Sequence, residues 1–341
     1  MIFLRKILFP FAILYGFITS IRNCLYDNGI FKSYSFDIPI IAVGNLSVGG
    51  TGKTPQIEYL IRLLQDNHQL ATLSRGYKRK SEGFLLASDK ETALTLGDEP
   101  YQMYQKFPKI QVAVDADRKS GIETLLAQKN KPDIILLDDA FQHRKVKAGF
   151  YILLTAYDDL YGNDFILPTG NLRESRKGAK RAQIVVVTKC PNAISEKEKA
   201  QIQSKLGLQS NQKLYFSTIA YDDFVYNTTN TIPLSEIKLK DKLLLAGIAK
   251  PDLFFDYLKQ PNDEVLTFPD HHHFTENDLK NIGNKAKNQL IITTEKDYVR
   301  LSNNTLQSNI YYLPIKSKFL FDKDDFNKTI TNYVGKSTRN S

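Results

Sequence analysis

The run Gly44-Asn45-Leu46-Ser47-Val48-Gly49-Gly50-Thr51-Gly52-Lys53-Thr54 carries the residue types that a phosphate-binding loop needs. Glycines at 49, 50 and 52 let backbone N–H groups converge on phosphate oxygens with no Cβ in the way. A helix beginning there adds the partial positive charge of its N-terminus. Ser47, Val48, Gly49, Gly50, Thr51, Gly52, Lys53 and Thr54 are therefore the expected ATP site. Lys53 would reach the β- and γ-phosphates, and the Thr54 hydroxyl would ligate Mg²⁺. The eight-residue pattern usually opens on glycine, and Ser47 holds that place here. The metal also needs an acid at the end of a nearby strand. Ile134-Ile135-Leu136-Leu137-Asp138-Asp139 supplies one, because open α/β sheets bind ligands at the carboxyl edge of their strands. Alone, Asp138 would read as a turn or a helix cap. Beside a phosphate loop it reads as a metal ligand, with Asp139 less firmly placed.

Holding these groups is the work of a sheet. Short apolar, β-branched runs recur at Ile40–Val43, Leu70–Leu73, Val112–Val114, Ile134–Leu137, Tyr151–Leu154 and Ile184–Val187. Helical patterns separate several of them, the clearest being Ile57, Leu60, Ile61 and Leu64 on one face. This alternation predicts an α/β fold: a P-loop NTPase-like, mainly parallel sheet flanked by helices. A second alternation from Leu243 predicts a smaller α/β domain. The expected boundaries are an apolar N-terminal membrane-associating helix over 1–34 and a P-loop domain over 35–212. A linking β-ribbon over 213–240, the smaller domain over 241–334 and a disordered tail over 335–341 complete the chain.

The 341 residues hold 42% apolar and 24% charged side chains, ordinary for a globular protein. Two cysteines, Cys24 and Cys190, make no disulfide framework and fit a reducing compartment. A net charge of +9 favours anionic partners without choosing among phosphates, nucleic acid and acidic lipids. The stretch Ile7 to Ile18 is apolar but short of the roughly 20 residues a spanning helix needs. No small-x-small cleavage site follows it. A buried core helix is one reading. A monotopic anchor, with Arg5, Lys6 and Arg22 near its ends for anionic headgroups, is the preferred one.

The phosphate loop through Pro55 and the run Asp138-Asp139-Ala140-Phe141-Gln142-His143-Arg144 closely resemble the tetraacyldisaccharide 4'-kinase family, the lipid A 4'-kinases of Gram-negative bacteria. So do Leu73-Ser74-Arg75-Gly76-Tyr77, Gly97-Asp98-Glu99-Pro100, Leu167 to Glu174, Pro269-Asp270-His271 and Thr294-Glu295-Lys296-Asp297, in family order over most of the chain. Ala140 stands where the family usually has glycine, and Ser175 where proline commonly follows Arg-Glu. The resemblance implies transfer of the ATP γ-phosphoryl group to the 4'-hydroxyl of a tetraacyl glucosamine disaccharide 1-phosphate. The acceptor is then the lipid A precursor, reached from the cytoplasmic face of the inner membrane by a monotopic or peripheral enzyme. It also implies a carboxylate–histidine pair as base, at Asp98 and His271, with Lys53 as the third catalytic residue. The metal set becomes Thr54, Asp138, Asp139 and Glu99. Arg75, Arg118, Gln142, His143, Arg173 and Glu174 become substrate-binding candidates, Gln142 and His143 being open to nucleotide, metal or substrate.

Plainer readings compete. Asp98-Glu99-Pro100 looks like a helix N-terminus with proline in its first turn. His271-His272-His273 invites a zinc site, but consecutive residues rarely converge on one ion. The main functional rival is a P-loop switch that moves partners instead of making product. Val187-Thr188-Lys189 resembles base-reading segments of such proteins, yet Cys190 and Pro191 follow, so the guanine-reading acid is missing. A soluble small-metabolite kinase leaves the apolar N-terminus unexplained. No compact nucleic-acid-reading motif is present, so no nucleic acid partner is expected, and no obligate protein partner is inferred. Deleting residues 1–22 is expected to move the protein from the membrane pellet to the soluble fraction. Undiminished sedimentation with membranes would remove the anchor reading.

Overall fold

A computed structural model describes residues 5, 7–301 and 307–337. Its strands in chain order are β1 (Ile40–Asn45), β2 (Leu70–Ser74), β3 (Leu85–Leu86), β4 (Gln111–Val114), β5 (Ile134–Asp138), β6 (Phe150–Ala156) and β7 (Ile184–Thr188). There follow β8 (Lys213–Tyr221), β9 (Phe224–Tyr226), β10 (Thr231–Pro233), β11 (Lys242–Ala246), β12 (Glu264–Thr267), β13 (Leu290–Thr294), β14 (Ile310–Leu313) and β15 (Ile315–Phe319). They form two sheets, ordered β15-β8-β7-β6-β1-β5-β2-β4-β3 and β10-β9-β14-β13-β11-β12. In the larger sheet β8 to β4 run parallel, while β15 and β3 close the edges antiparallel. Strands β1, β2, β5 and β7 are buried along their whole length, as expected where helices cover both faces.

The central strand is β1, with β5 on one side and β6 on the other. Chain order reverses across it, so the crevice at its carboxyl end is the place for a ligand. Ile57, Leu60, Ile61 and Leu64 of the helix Lys53–Leu64 pack on one face of the sheet. Ile122 and Leu125 of the helix Arg118–Leu126 pack on the other, against Leu73 and Leu137.

The domain boundaries differ from those read from sequence. Strand β8 is no ribbon; it pairs with β7 and extends the large sheet. Only β9 and β10 form a hairpin, and they belong to the small sheet. The chain then returns: β15 pairs with β8, and Phe326, Ile330 and Val334 of the helix Lys323–Ser337 enter the large core. Both crossings between lobes lie side by side, where Asp222 N–H donates to Pro314 O at 3.0 Å. Period-2 alternation announces a strand without saying which sheet it joins. The last helix runs through Ser337, inside the span read as a frayed tail; residues 338–341 lie outside the described residues.

The N-terminal helix Phe9–Asp27 lies on the surface, burying only Ala12 and Gly16. Phe11, Ile13, Phe17 and Ile18 are 56–63% exposed, so the helix is not part of a core. Gly16 is needed for its seat: a Cβ there would meet Ile166 Cδ1 at 3.1 Å. Among the described residues no helix is long and apolar enough to cross a membrane.

Phe326 is fully buried between the last helix and the P-loop helix's core. Phe326→Ala should cost about 3–5 kcal/mol, read as a lower urea midpoint of the large lobe. An unchanged midpoint would mean that the C-terminal helix is not part of that core.

Candidate active site

Strand β1 delivers the phosphate loop to the switch point. Gly49 at φ +111° and Gly52 at φ +81° take left-handed conformations that side chains resist. Gly52 caps the helix Lys53–Leu64. The loop is held from two sides. Thr188 Oγ1, at the end of β7, donates to Thr51 O at 2.8 Å. Val48 N–H donates to Asn171 O, and Arg173 N–H to Leu46 O, both at 2.8 Å. Lys53 Nζ stands 3.4 Å from Asn45 Oδ1 and 3.6 Å from Asp139 Oδ1.

Parallel register sets Asp138 beside Val43, at the foot of the loop. Burial pushes its carboxyl up to about 6; Lys53 opposes this, while Asp139 and Glu99 add to it. Asp138 Oδ1 is buried without a hydrogen-bond partner. An orphaned, charge-starved oxygen fits a cation's ligand. Among the described residues no cluster of three or more His, Cys, Asp or Glu could hold a metal by itself. That matches Mg²⁺, which is commonly held by one or two carboxylates plus substrate phosphates. Asp139, at φ +47°, is engaged otherwise: Arg173 Nη1 lies 3.1 Å from its Oδ1. Burial raises its pKa, but Lys53 and Arg173 outweigh that and hold it low.

Asp98 opens the helix Asp98–Lys106, and His271 sits in the loop after β12 at φ +64°. The topology brings them together from different lobes: His271 Nδ1 is 3.3 Å from Asp98 Oδ2. His271 Nε2 faces Lys296 Nζ at 3.0 Å. Arg300 Nη2, which can only donate, also lies 3.0 Å from His271 Nδ1. Burial pushes Asp98 up, but Arg300, Lys296 and His271 outweigh it and keep the carboxyl below its ordinary range. The charge of Glu99 is among those that raise Asp138. Its own carboxylate is 3.9 Å from Lys296. His272 bonds Asp278 at 3.0 Å and takes no part.

The substrate candidates divide. Arg75 is exposed at the end of β2. Arg118 is buried, donating to Asp115 O at 2.6 Å and Asp138 O at 3.1 Å, while its Nε has no hydrogen-bond partner. Gln142 Nε2 donates to Asn45 O and to Glu174 Oε1 at 2.9 and 3.1 Å. Glu174, also buried, pairs with Arg181 at 2.7 Å and accepts from Asn23 of the N-terminal helix at 2.7 Å. Arg173 binds Asp139 and Asn45, and Tyr15 of the same helix donates to its carbonyl at 3.0 Å. Sequence reasoning missed Asn45, which accepts from both Lys53 and Arg173, although it stands inside the quoted loop. It also missed Lys296 and Arg300, and Lys189, whose Nζ would lie 3.8 Å from a Cβ on Gly50.

The family model described as tetraacyldisaccharide-1-P 4'-kinase matches residues 4–335. The chain belongs to the tetraacyldisaccharide 4'-kinase family. It is 66% identical over 331 residues to the tetraacyldisaccharide 4'-kinase of Flavobacterium johnsoniae, covering 97% of each chain. It is 46% identical over 362 residues to that of Bacteroides thetaiotaomicron, covering 99% of this chain and 95% of that one. The crystal structure of apo-form LpxK from Aquifex aeolicus in complex with ATP superposes with a TM-score of 0.79 at 31% identity, over 97% of this chain and 99% of that one. The loop therefore belongs to a kinase and not to a nucleotide switch. The two departures from the family pattern are locally harmless. Ser175 holds φ −57°, a value proline would share, and Ala140 is buried without a left-handed backbone.

Burial, with Arg118 beside it, pushes His143 down to about 4. The unfolded chain binds a proton near 6.5 that the folded site refuses until about 4, so stability falls as pH drops through that window. His143→Gln should lose less thermal stability than the wild type between about pH 7.5 and 4.5. Parallel losses would show that His143 does not govern the acid limb.

Proposed function

We propose that the chain transfers the γ-phosphoryl group of ATP to the 4'-hydroxyl of a tetraacyl glucosamine disaccharide 1-phosphate, with Asp98 as base. The observation that carries this reading is the Asp98–His271 pair, assembled from both lobes at the start of the helix that also bears Glu99, whose charge acts on Asp138. Asp98 takes the sugar hydroxyl's proton while the sugar oxygen bonds to the γ-phosphorus and the bridging bond to ADP breaks. His271 orients the carboxylate. Lys53 neutralises charge gathering on the phosphoryl oxygens. Thr54 and Asp138 would hold Mg²⁺, with Asp139 and Glu99 near; when bound, the ion screens the β- and γ-phosphate oxygens.

An acylated acceptor needs an apolar landing place. An open groove of ≈ 340 Å³ is lined by Phe9, Ile13 and Phe17 of the N-terminal helix and by Phe165 and Ile166. Ser175 also lines it, and exposed Arg176, Lys177 and Lys180 follow on the adjoining short helix, basic groups suited to anionic headgroups or the 1-phosphate. This supports peripheral or monotopic attachment at the cytoplasmic face of a Gram-negative inner membrane, where ATP is available. The hydrogen bonds from Tyr15 and Asn23 to Arg173 and Glu174 tie that surface to the phosphate site.

Incubation with labelled ATP, Mg²⁺ and the disaccharide lipid should place label on the 4'-oxygen. Lys53→Ala and Asp138→Ala should abolish transfer. Asp98→Ala should lower kcat by about 10²–10⁴ while calorimetry shows ATP binding kept. Wild-type turnover by Asp98→Ala would remove the base.

A further inference from the structure

We propose that Arg300 positions the catalytic base, gripping one oxygen of Asp98 so that the other is aimed at the acceptor hydroxyl. This rests on Asp98 being the base. Arg300 Nε and Nη2 donate to Asp98 Oδ2 at 3.2 and 2.5 Å, and His271 Nδ1 approaches the same oxygen at 3.3 Å. All three contacts fall on Oδ2. Among the described residues, Oδ1 has no hydrogen-bond partner, so its lone pairs remain for a proton. A planar guanidinium donating through two nitrogens resists rotation of the carboxylate in a way a point charge does not.

Arg300 is itself fixed. Its side chain is 4% exposed, and Nη1 lies 3.4 Å from Oδ1 of the fully buried Asp297. Asp297 Oδ2 accepts from Gly247 N–H at 2.8 Å and Thr294 Oγ1 at 2.6 Å. A Cβ on Gly247 would stand 3.0 Å from Asp297 Oδ1, which marks how closely the backbone encloses this carboxylate. Positioning thus runs from the carboxyl ends of β11 and β13, through Asp297 and Arg300, to Asp98. Arg300 lies on the helix Glu295–Leu301 of the small lobe, whereas Asp98 lies on the large one. The base is oriented only when the lobes are apposed. Lys296, one turn earlier, reaches His271 Nε2 and Asp270, while Arg300 Nη2 also lies 3.0 Å from His271 Nδ1, so Arg300 touches both members of the pair.

The test uses the full chain with disaccharide lipid in mixed micelles. Arg300→Ala should lower kcat by about 10²-fold and leave the KM for ATP within about twofold. Guanidinium chloride, far below denaturing concentration, should restore part of that kcat. Arg300→Lys should retain more turnover than Arg300→Ala. Wild-type kcat in Arg300→Ala, while Asp98→Asn is inactive, overturns the assignment and leaves the base reading intact. Loss of kcat with a lowered melting temperature and no guanidinium rescue also overturns it, reducing Arg300 to a tie between lobes. Wild-type turnover by Asp98→Asn ends the base reading instead.

Discussion

The carboxylate proposed as base and a bound triphosphate carry charge of the same sign, yet one cleft has to hold both. The rest of the structure answers that constraint. Lys53 and Arg173 stand on the loop side beside Asp139, where Asp138 Oδ1 and Thr51 Oγ1 are buried without hydrogen-bond partners. On the acceptor side Arg300, Lys296 and His271 surround Asp98 and keep it ionised. Separating the charges this way lets each carboxylate serve one role. Asp138 keeps an orphaned oxygen, as its proposed role toward a cation requires, whereas Asp98 is ringed by partners that hold it ionised.

The two lobes divide the same labour. The large sheet provides the phosphate loop and Asp98, while the small lobe provides His271, Lys296 and Arg300. The lobes touch at more than the site. Lys106, on the helix that begins with Asp98, lies 2.8 Å from Glu58 and 2.8 Å from Glu295, one residue before Lys296. Burial, with Glu58 next to it, pushes Glu295 up to about 7, so this junction is a tight meeting of charges away from water. The N-terminal helix adds the third dependence. Its outward face is apolar, and its inward face hydrogen-bonds the segment that supports the phosphate loop.

Much of the site was legible in the chain. Phosphate loops need their glycines, lysine and hydroxyl contiguous, because one turn and one helix start make the whole cradle. Asp138 was legible for a similar reason, since a strand's end is written in the strand's own apolar run. Asp98 and His271 were readable only through the family resemblance, as nothing local links residues so far apart in sequence. Arg118 and Glu174 carried the look of ligands; that both are also buried among protein partners was not legible, because burial is a property of the folded whole.

By itself the sequence determined the α/β class, the phosphate cradle and the acid beneath it, because each depends on neighbours along the chain. Tertiary structure decided that β8 and β15 complete the large sheet, and that the C-terminal helix returns to its core. It also decided that Arg300 and Lys296 meet the Asp98–His271 pair. Those outcomes turn on which surfaces exclude water together, and periodicity cannot encode that because it names a buried face without naming what covers it.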